Sequence, residues 1–272
     1  LDIILAGPGR AGSAVCIAAK RAGHRIVAVA GRTPETVQRA AQLLDAIPLR
    51  LSDELPPADL LVIAVRDDVI ADVAARIRAP HVDAVVHLSG LTPVDALMPL
   101  QRAGAAIGVL HPLQTLPAPE AGAEALAGSW MAVTTSDERL RNTLEVLADS
   151  LGARPFTLPE AARAVYHAAA AAAANGTAAA LAIAEELFTA AGVPFDAARP
   201  LVDAVVANAF GIGPRAALTG PIARGDVGTV RAQLASVEER APEELDRFIA
   251  LGRLISDIAG TAELFEEVWW TS

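Results

Sequence analysis

The 272-residue sequence is poor in several residue types. It has one cysteine, Cys16, so an internal disulfide is excluded. It has no excess of basic charge: the formal net charge is -10. That balance speaks against a nucleic-acid partner and leaves no polybasic patch for a membrane surface. Its five histidines show no paired spacing such as H-x-x-x-H, so no metal centre is expected. There is one lysine, Lys20, on what reads as the first helix. Nothing at the N-terminal end reads as a signal peptide, so a cytoplasmic location is expected; the start at Leu1 is expected to follow a few missing residues. What the chain has in quantity is apolar residues, 53% of the total, enough for one large domain or two ordinary ones.

The organising stretch is Gly7-Pro8-Gly9-Arg10-Ala11-Gly12. An apolar run, Leu1–Ala6, precedes it, and a helical pattern follows up to Gly23. G-x-G-x-x-G between a strand and a helix is the context of a dinucleotide fingerprint. Gly7 permits the turn, Gly9 lets a pyrophosphate approach the backbone, and Gly12 lets the helix pack on the strand. The helix N-terminus adds free N–H groups and a partial positive charge.

Apolar runs then alternate with helical patterns: strands at Arg25–Ala30, Pro48–Leu51, Leu60–Val65, Ala84–Leu88, Ala106–Leu110, Trp130–Thr134 and Arg154–Thr157. Helices are expected from Pro34 with Thr33 as N-cap, from Asp67-Asp68, from Pro93 with Thr92 as N-cap, and after Ser136. This alternation predicts an α/β fold with a doubly wound, mainly parallel Rossmann sheet. After Pro159 no strand remains. The expected domains are therefore a dinucleotide-binding domain over 1–158 and a smaller all-helical one over 159–272, for substrate and dimerisation. Its opening helix, Glu160–Ala191, carries the uncharged stretch Val165–Ala184, long enough for a bilayer. Alanine is barely apolar, however, and His167 and Asn175 interrupt the run. A central buried helix is expected there, with no membrane partner.

The second strand ends in Gly31-Arg32-Thr33. No acid stands there to repel a 2′-phosphate; Arg32 is placed to pair with it and Thr33 to donate to it. The cofactor expected is NADP(H). Val65-Arg66 follows the fourth strand at the usual nicotinamide entrance, and Ser89-Gly90 follows the fifth. His87 reads as a core residue and His111 as a rim residue after its strand.

Three stretches carry a resemblance: His87-Leu88-Ser89-Gly90, His111-Pro112-Leu113-Gln114 and Thr219-Gly220-Pro221-Ile222-Ala223-Arg224-Gly225-Asp226. With Tyr166-His167 and Asn175, they resemble the Rossmann-like proteins with a C-terminal domain of unknown function. That group is similar to deazaflavin-dependent NADP oxidoreductases, ketopantoate reductase and pyrroline-5-carboxylate reductase. The resemblance implies a helical domain of the 6-phosphogluconate dehydrogenase C-terminal type and a homodimer formed through it. It implies an NADP(H)-dependent oxidoreductase acting on a small carbonyl or imine, possibly a 2-oxo acid such as ketopantoate, in an interdomain cleft. Related dehydrogenases carry Lys-x-x-x-Asn on the first long helix of the second domain. If Asn175 matches the asparagine, Ala171 holds the lysine's place. His167, about two turns before Asn175, is then the candidate proton donor, with Asn175 holding a carbonyl or the nicotinamide amide. Arg224 is the candidate anion clamp. The other class of reading is an NADP(H)-binding sensor without turnover.

Overall fold

A computed structural model describes residues 1–270, excluding the side chain of Trp270. The chain divides into two compact units, Leu1–Ala171 and Ala172–Ser272, the last two residues lying outside the described part.

The first unit is an eight-stranded sheet in the order β3-β2-β1-β4-β5-β6-β7-β8. The strands are β1 (Asp2–Ala6), β2 (Arg25–Gly31), β3 (Ile47–Arg50), β4 (Ala58–Ile63), β5 (Val82–His87), β6 (Ala106–Leu113), β7 (Trp130–Thr134) and β8 (Arg154–Thr157). Helices α1 (Arg10–Arg21), α2 (Pro34–Leu44), α3 (Ile70–Arg76), α4 (Met98–Arg102), α5 (Pro119–Ala125) and α6 (Glu138–Ser150) connect them. The pairing is parallel except between β6 and β7. Alternation along β1 shows why the central strands are apolar on both sides. Ile3 and Leu5 enter a core under α1, α2, α5 and α6, whereas Ile4 and Ala6 enter one under α3 and α4. Strand order reverses between β1 and β4, the switch point where open α/β sheets bind ligands beyond the carboxyl ends of their strands.

Several local expectations shift. His111 lies inside β6 rather than after it, because β7 pairs antiparallel there and sets His111 opposite Ala132. The helix expected from Pro93 begins as a 3-10 turn, Val94–Leu97, and becomes α4 only at Met98. The amides of Leu91 and Thr92 are taken by the Ser89 hydroxyl upstream, and Pro93, not Thr92, stands at the N-cap. Asp137 caps α6 in place of Ser136, its carboxylate accepting from the Leu140 N–H at 2.8 Å. Asp67 opens a 3-10 turn, Asp67–Val69, before α3. The fully buried Cys16 sits on α1, where burial pushes its thiol up to about 12.

The first unit continues beyond Leu158 into α7 (Arg163–Ala171), because Arg163, Tyr166 and His167 pack on the sheet's rim. The expected unbroken helix contains a π turn, Ala172–Gly176, and resumes as α8 (Thr177–Ala190). Then come α9 (Arg199–Ile212), the short α10 (Pro214–Ala217) and α11 (Pro221–Arg224), α12 (Val227–Arg240), α13 (Leu245–Ala259) and α14 (Ala262–Trp270). The second unit's core lies among α11 to α14. There Phe265 stacks on Trp269, and a side chain at Gly252 would strike the Trp269 ring. Asp226 caps α12 as expected, accepting from the Thr229 amide. The expectation of a buried helix is corrected: no residue of α8 is buried, nor any of α9. By length and composition Glu160–Ala190 is apolar enough to cross a bilayer.

Candidate active site

The glycine loop is built as its spacing predicts. Gly7 has φ +94°, and a Cβ there would lie 2.6 Å from Val65 Cγ1. A Cβ on Gly12 would lie 2.6 Å from the Cβ of Ala64. These two glycines let the β1–α1 turn lie against the end of β4. Gly9 differs: a Cβ there would meet nothing closer than a carbonyl at 3.9 Å, so its missing side chain leaves open space above the loop. Gly9 is the N-cap of α1, and no side chain caps that helix. An uncapped, sterically open helix N-terminus suits a pyrophosphate.

A cavity of about 790 Å³ opens there. Gly7, Pro8, Gly9, Gly31, Arg32, Thr33, Val65 and Arg66 line it, all residues singled out from the sequence. Arg10 and Ala11 begin α1 beside it. Arg32 is exposed and makes no ion pair among the described residues. Arg66 is paired with Asp68. The motif reading missed Thr36, Ser52, Asp72 and Arg76, which line the same cavity. A signal existed for some of them: Val69, Asp72, Val73 and Arg76 keep the i, i+3, i+4, i+7 spacing of one face of the helix after β4.

Further along the rim lies a cluster of polar side chains. His87, fully buried as expected, accepts from the Ser89 amide at Nδ1 and directs Nε2 to the Pro93 carbonyl. The Ser89 hydroxyl donates to Asp67 at 2.7 Å and accepts from Leu91 and Thr92. It thus ties the loop after β4 to the loop after β5. On the other side of Gly90 stand His111 and His167, ring centroids 6.3 Å apart. Arg163, 3% exposed, pairs with Glu160 at 3.1 Å, and one guanidinium nitrogen is buried without a partner. Burial holds both His87 and His111 down to about 4. For His111, His167 and Arg163 add to this effect; for His87, Arg163 opposes protonation while the Pro93 hydrogen bond favours it. In the second unit, Asn175 is exposed within the π turn, and Arg224 is exposed at the end of α11.

The depressed histidines set an acid limit on stability. In the folded chain His87 and His111 stay neutral down to about pH 4, whereas the unfolded chain takes up protons below about 6.5. Their stabilisation is therefore complete above that upper value and lost as pH falls through the window. Each contributes at most on the order of 3 kcal/mol. Urea midpoints measured from neutral pH to about pH 4.5 should fall steeply for the native protein and less for His111→Gln. Parallel slopes would contradict the assignment.

Residues 1–112 match the Rossmann-like domain, and residues 129–255 match a domain of unknown function, DUF2520. No curated protein matches the chain. Among solved structures, it is similar to a candidate NADP oxidoreductase from Bacteroides fragilis, with 25% identity and a TM-score of 0.80 over 94% of this chain and 98% of that one. An imine reductase from Myxococcus stipitatus in complex with NADP+ is 17% identical, with a TM-score of 0.68 over 97% of this chain and 94% of that one. A reductive aminase from Aspergillus terreus in complex with NADPH and ethyl levulinate is 15% identical, with a TM-score of 0.67 over 97% and 99%. The last two likenesses are of fold. The chain thus joins a Rossmann-like domain, over residues 1–112, to a C-terminal domain of unknown function, DUF2520, over residues 129–255.

Proposed function

We propose that this chain is an NADP(H)-dependent oxidoreductase for a small carbonyl or imine compound. A 2-oxo acid such as ketopantoate is the first substrate to try. The observation that carries the reading is the open space over Gly9, continuous with a cavity bordered by the exposed Arg32. The likeness to the Bacteroides fragilis protein supports it. Reduced nicotinamide, when bound, supplies a hydride. In this reading Gly7 to Gly12 cradle the pyrophosphate, and Arg32 with Thr33 holds the 2′-phosphate. Val65, Arg66, Ser89, Gly90 and His111 border the nicotinamide side. His167 is the proton donor, Asn175 a carbonyl or carboxamide holder, and Arg224 an anion clamp.

Titration with NADPH and NADH, followed by NADPH-oxidation assays over 2-oxo acids and cyclic imines, tests this directly. Tight NADPH binding with no turnover on any of them would favour a nucleotide sensor. A charged hydrogen bond contributes about 1.5–3 kcal/mol. Arg32→Ala should therefore weaken NADPH by roughly 10- to 100-fold and leave NADH nearly unchanged. Equal losses for both nucleotides would remove Arg32 from the 2′-phosphate.

For His167 the expected signature is a loss of chemistry without loss of structure. His167→Gln should keep its melting behaviour and NADPH affinity while turnover drops by roughly 100-fold, the scale of a general acid. A variant that unfolds easily yet keeps its activity per folded molecule would make the histidine structural.

The second unit supports a homodimer as the native assembly. Along α9, Leu201, Val205, Val206, Phe210 and Ile212 are exposed, Phe210 at 91%. The neighbouring α8 has no buried residue. Apolar surface of this kind calls for a protein partner, and a second copy offers a matching face. Light scattering should give twice the chain mass, and Phe210→Glu should shift it towards the monomer. A monomeric native protein would overturn the assignment.

A further inference from the structure

Tyr166 is the only tyrosine of the chain, and the role assigned to its neighbour His167 leaves it unexplained. Its hydroxyl lies 2.8 Å from Nδ1 of His111, and the two rings meet edge to face with centroids 5.5 Å apart. Among the described residues the hydroxyl makes no other hydrogen bond. The Phe156 ring also meets the phenol edge to face, with centroids 5.9 Å apart. Burial raises Tyr166 to about 12 and holds His111 down to about 4, so both groups are uncharged near neutral pH. The charged or titratable groups around His111 are His167 and Arg163 from α7, His87 from β5, and Asp67 from the loop after β4. An uncharged phenol and an uncharged imidazole share one hydrogen bond. Where the phenol donates, Nδ1 accepts and the imidazole proton lies on Nε2.

The direction of Nε2 is set by Gly90. A Cβ at that glycine would lie 2.8 Å from Nε2 of His111 and 2.7 Å from Nδ1 of His167. The two imidazole edges therefore converge on one backbone position in the loop after β5. Nδ1 of His167 is buried there without a hydrogen-bond partner. Two imidazole nitrogens thus crowd one glycine, and one of them has no hydrogen-bond partner among the described residues.

We infer that Tyr166 is a positioning residue that fixes His111 as an uncharged Nε2–H donor, and that His111 and His167 together receive the carbonyl oxygen of the substrate beside Gly90. The substrate part rests on the reading of His167 as proton donor. Carbonyl reduction adds a hydride to carbon, moves the π pair of the C=O bond onto oxygen, and adds one proton to that oxygen. In the assignment His167 gives the proton. His111 keeps its own and stabilises the growing negative charge by a hydrogen bond. A preformed iminium nitrogen has no lone pair for Nε2–H to meet. The arrangement therefore selects carbonyl compounds over iminium ions.

The first test needs neither cofactor nor substrate. In full-length protein labelled with ¹⁵N-histidine, long-range ¹H–¹⁵N correlation should show His111 with a protonated Nε2 and a bare Nδ1 between about pH 6 and 9. In Tyr166→Phe, checked for folding by circular dichroism, a Nδ1–H population should appear. A Nδ1–H tautomer in the native protein would overturn the inference, and so would an unchanged Nε2–H tautomer in the variant. The wild-type spectrum remains decisive even if the variant does not fold. The second test reads the substrate side. With NADPH saturating, Tyr166→Phe should lower kcat for a ketone or 2-oxo acid by about tenfold or more and leave the Kd for NADPH within about twofold. A matching loss of NADPH affinity would overturn the substrate assignment. Failure of the native protein to oxidise NADPH with any compound would count against the reductase reading, whereas the His111 tautomer judges Tyr166 independently.

Discussion

Three strand ends meet at the β1–α1 turn, and the turn is possible because it carries almost no side chains. Gly7 presses on Val65 and the Ala64 carbonyl, Gly12 on Ala64 and Leu5, and Gly31 at the end of β2 on Pro8 and Val37. Each is a contact that a methyl group would close below ordinary van der Waals distance. This close approach lets α1 lie on the sheet, brings the loops after β1, β2 and β4 around one cavity, and leaves Gly9 facing open space. The same absence of side chains thus serves packing at Gly7, Gly12 and Gly31 and access at Gly9. The two demands fall on different residues of one motif.

Farther along the rim the design principle changes from absence to connection. Ser89 joins the loops after β4 and β5 through Asp67, while His87 pins the second of these loops to its own strand end. Tyr166 and His111 connect α7 to β6, and Arg163, buried with its guanidinium partly unsatisfied, lies close enough to act on both His87 and His111. Burying the Arg163 guanidinium and the His87 imidazole, with His111 and His167 half-buried beside them, is costly in free energy. A cluster of that kind is retained more readily for chemistry than for stability, since apolar residues of similar volume would pack as well.

The second unit follows another logic. Its core is compact around Phe265 and Trp269, with Gly252 making room for the indole. Its α8 and α9 nevertheless contribute no buried residue. Along α9 the side chains of Leu201, Val205, Val206, Phe210 and Ile212 face outward instead.

The sequence by itself determined the strand succession and the longer helices, the mainly parallel sheet, the glycine loop and the Arg32 position, but not α5 or the short α10 and α11. These depend on local spacing: an apolar run buried on both faces, a glycine where the backbone turns, a missing acid at the end of β2. The place of His87 in the core was legible for the same reason. Other features depended on contacts between distant segments. His111 became a strand residue because β7, arriving antiparallel, extended β6 past Leu110. The Tyr166–His111 bond spans residues 55 apart, and Thr36, Ser52, Asp72 and Arg76 joined the cavity only when the segments after β1, β2, β3 and β4 closed around it. The π turn at Ala172–Gly176 left no mark in an alanine run that fits an α-helix equally well. Periodicity reports which face of an element is buried. Which side chains from separate elements meet is decided by the register and order of the strands, and only the tertiary structure holds that information.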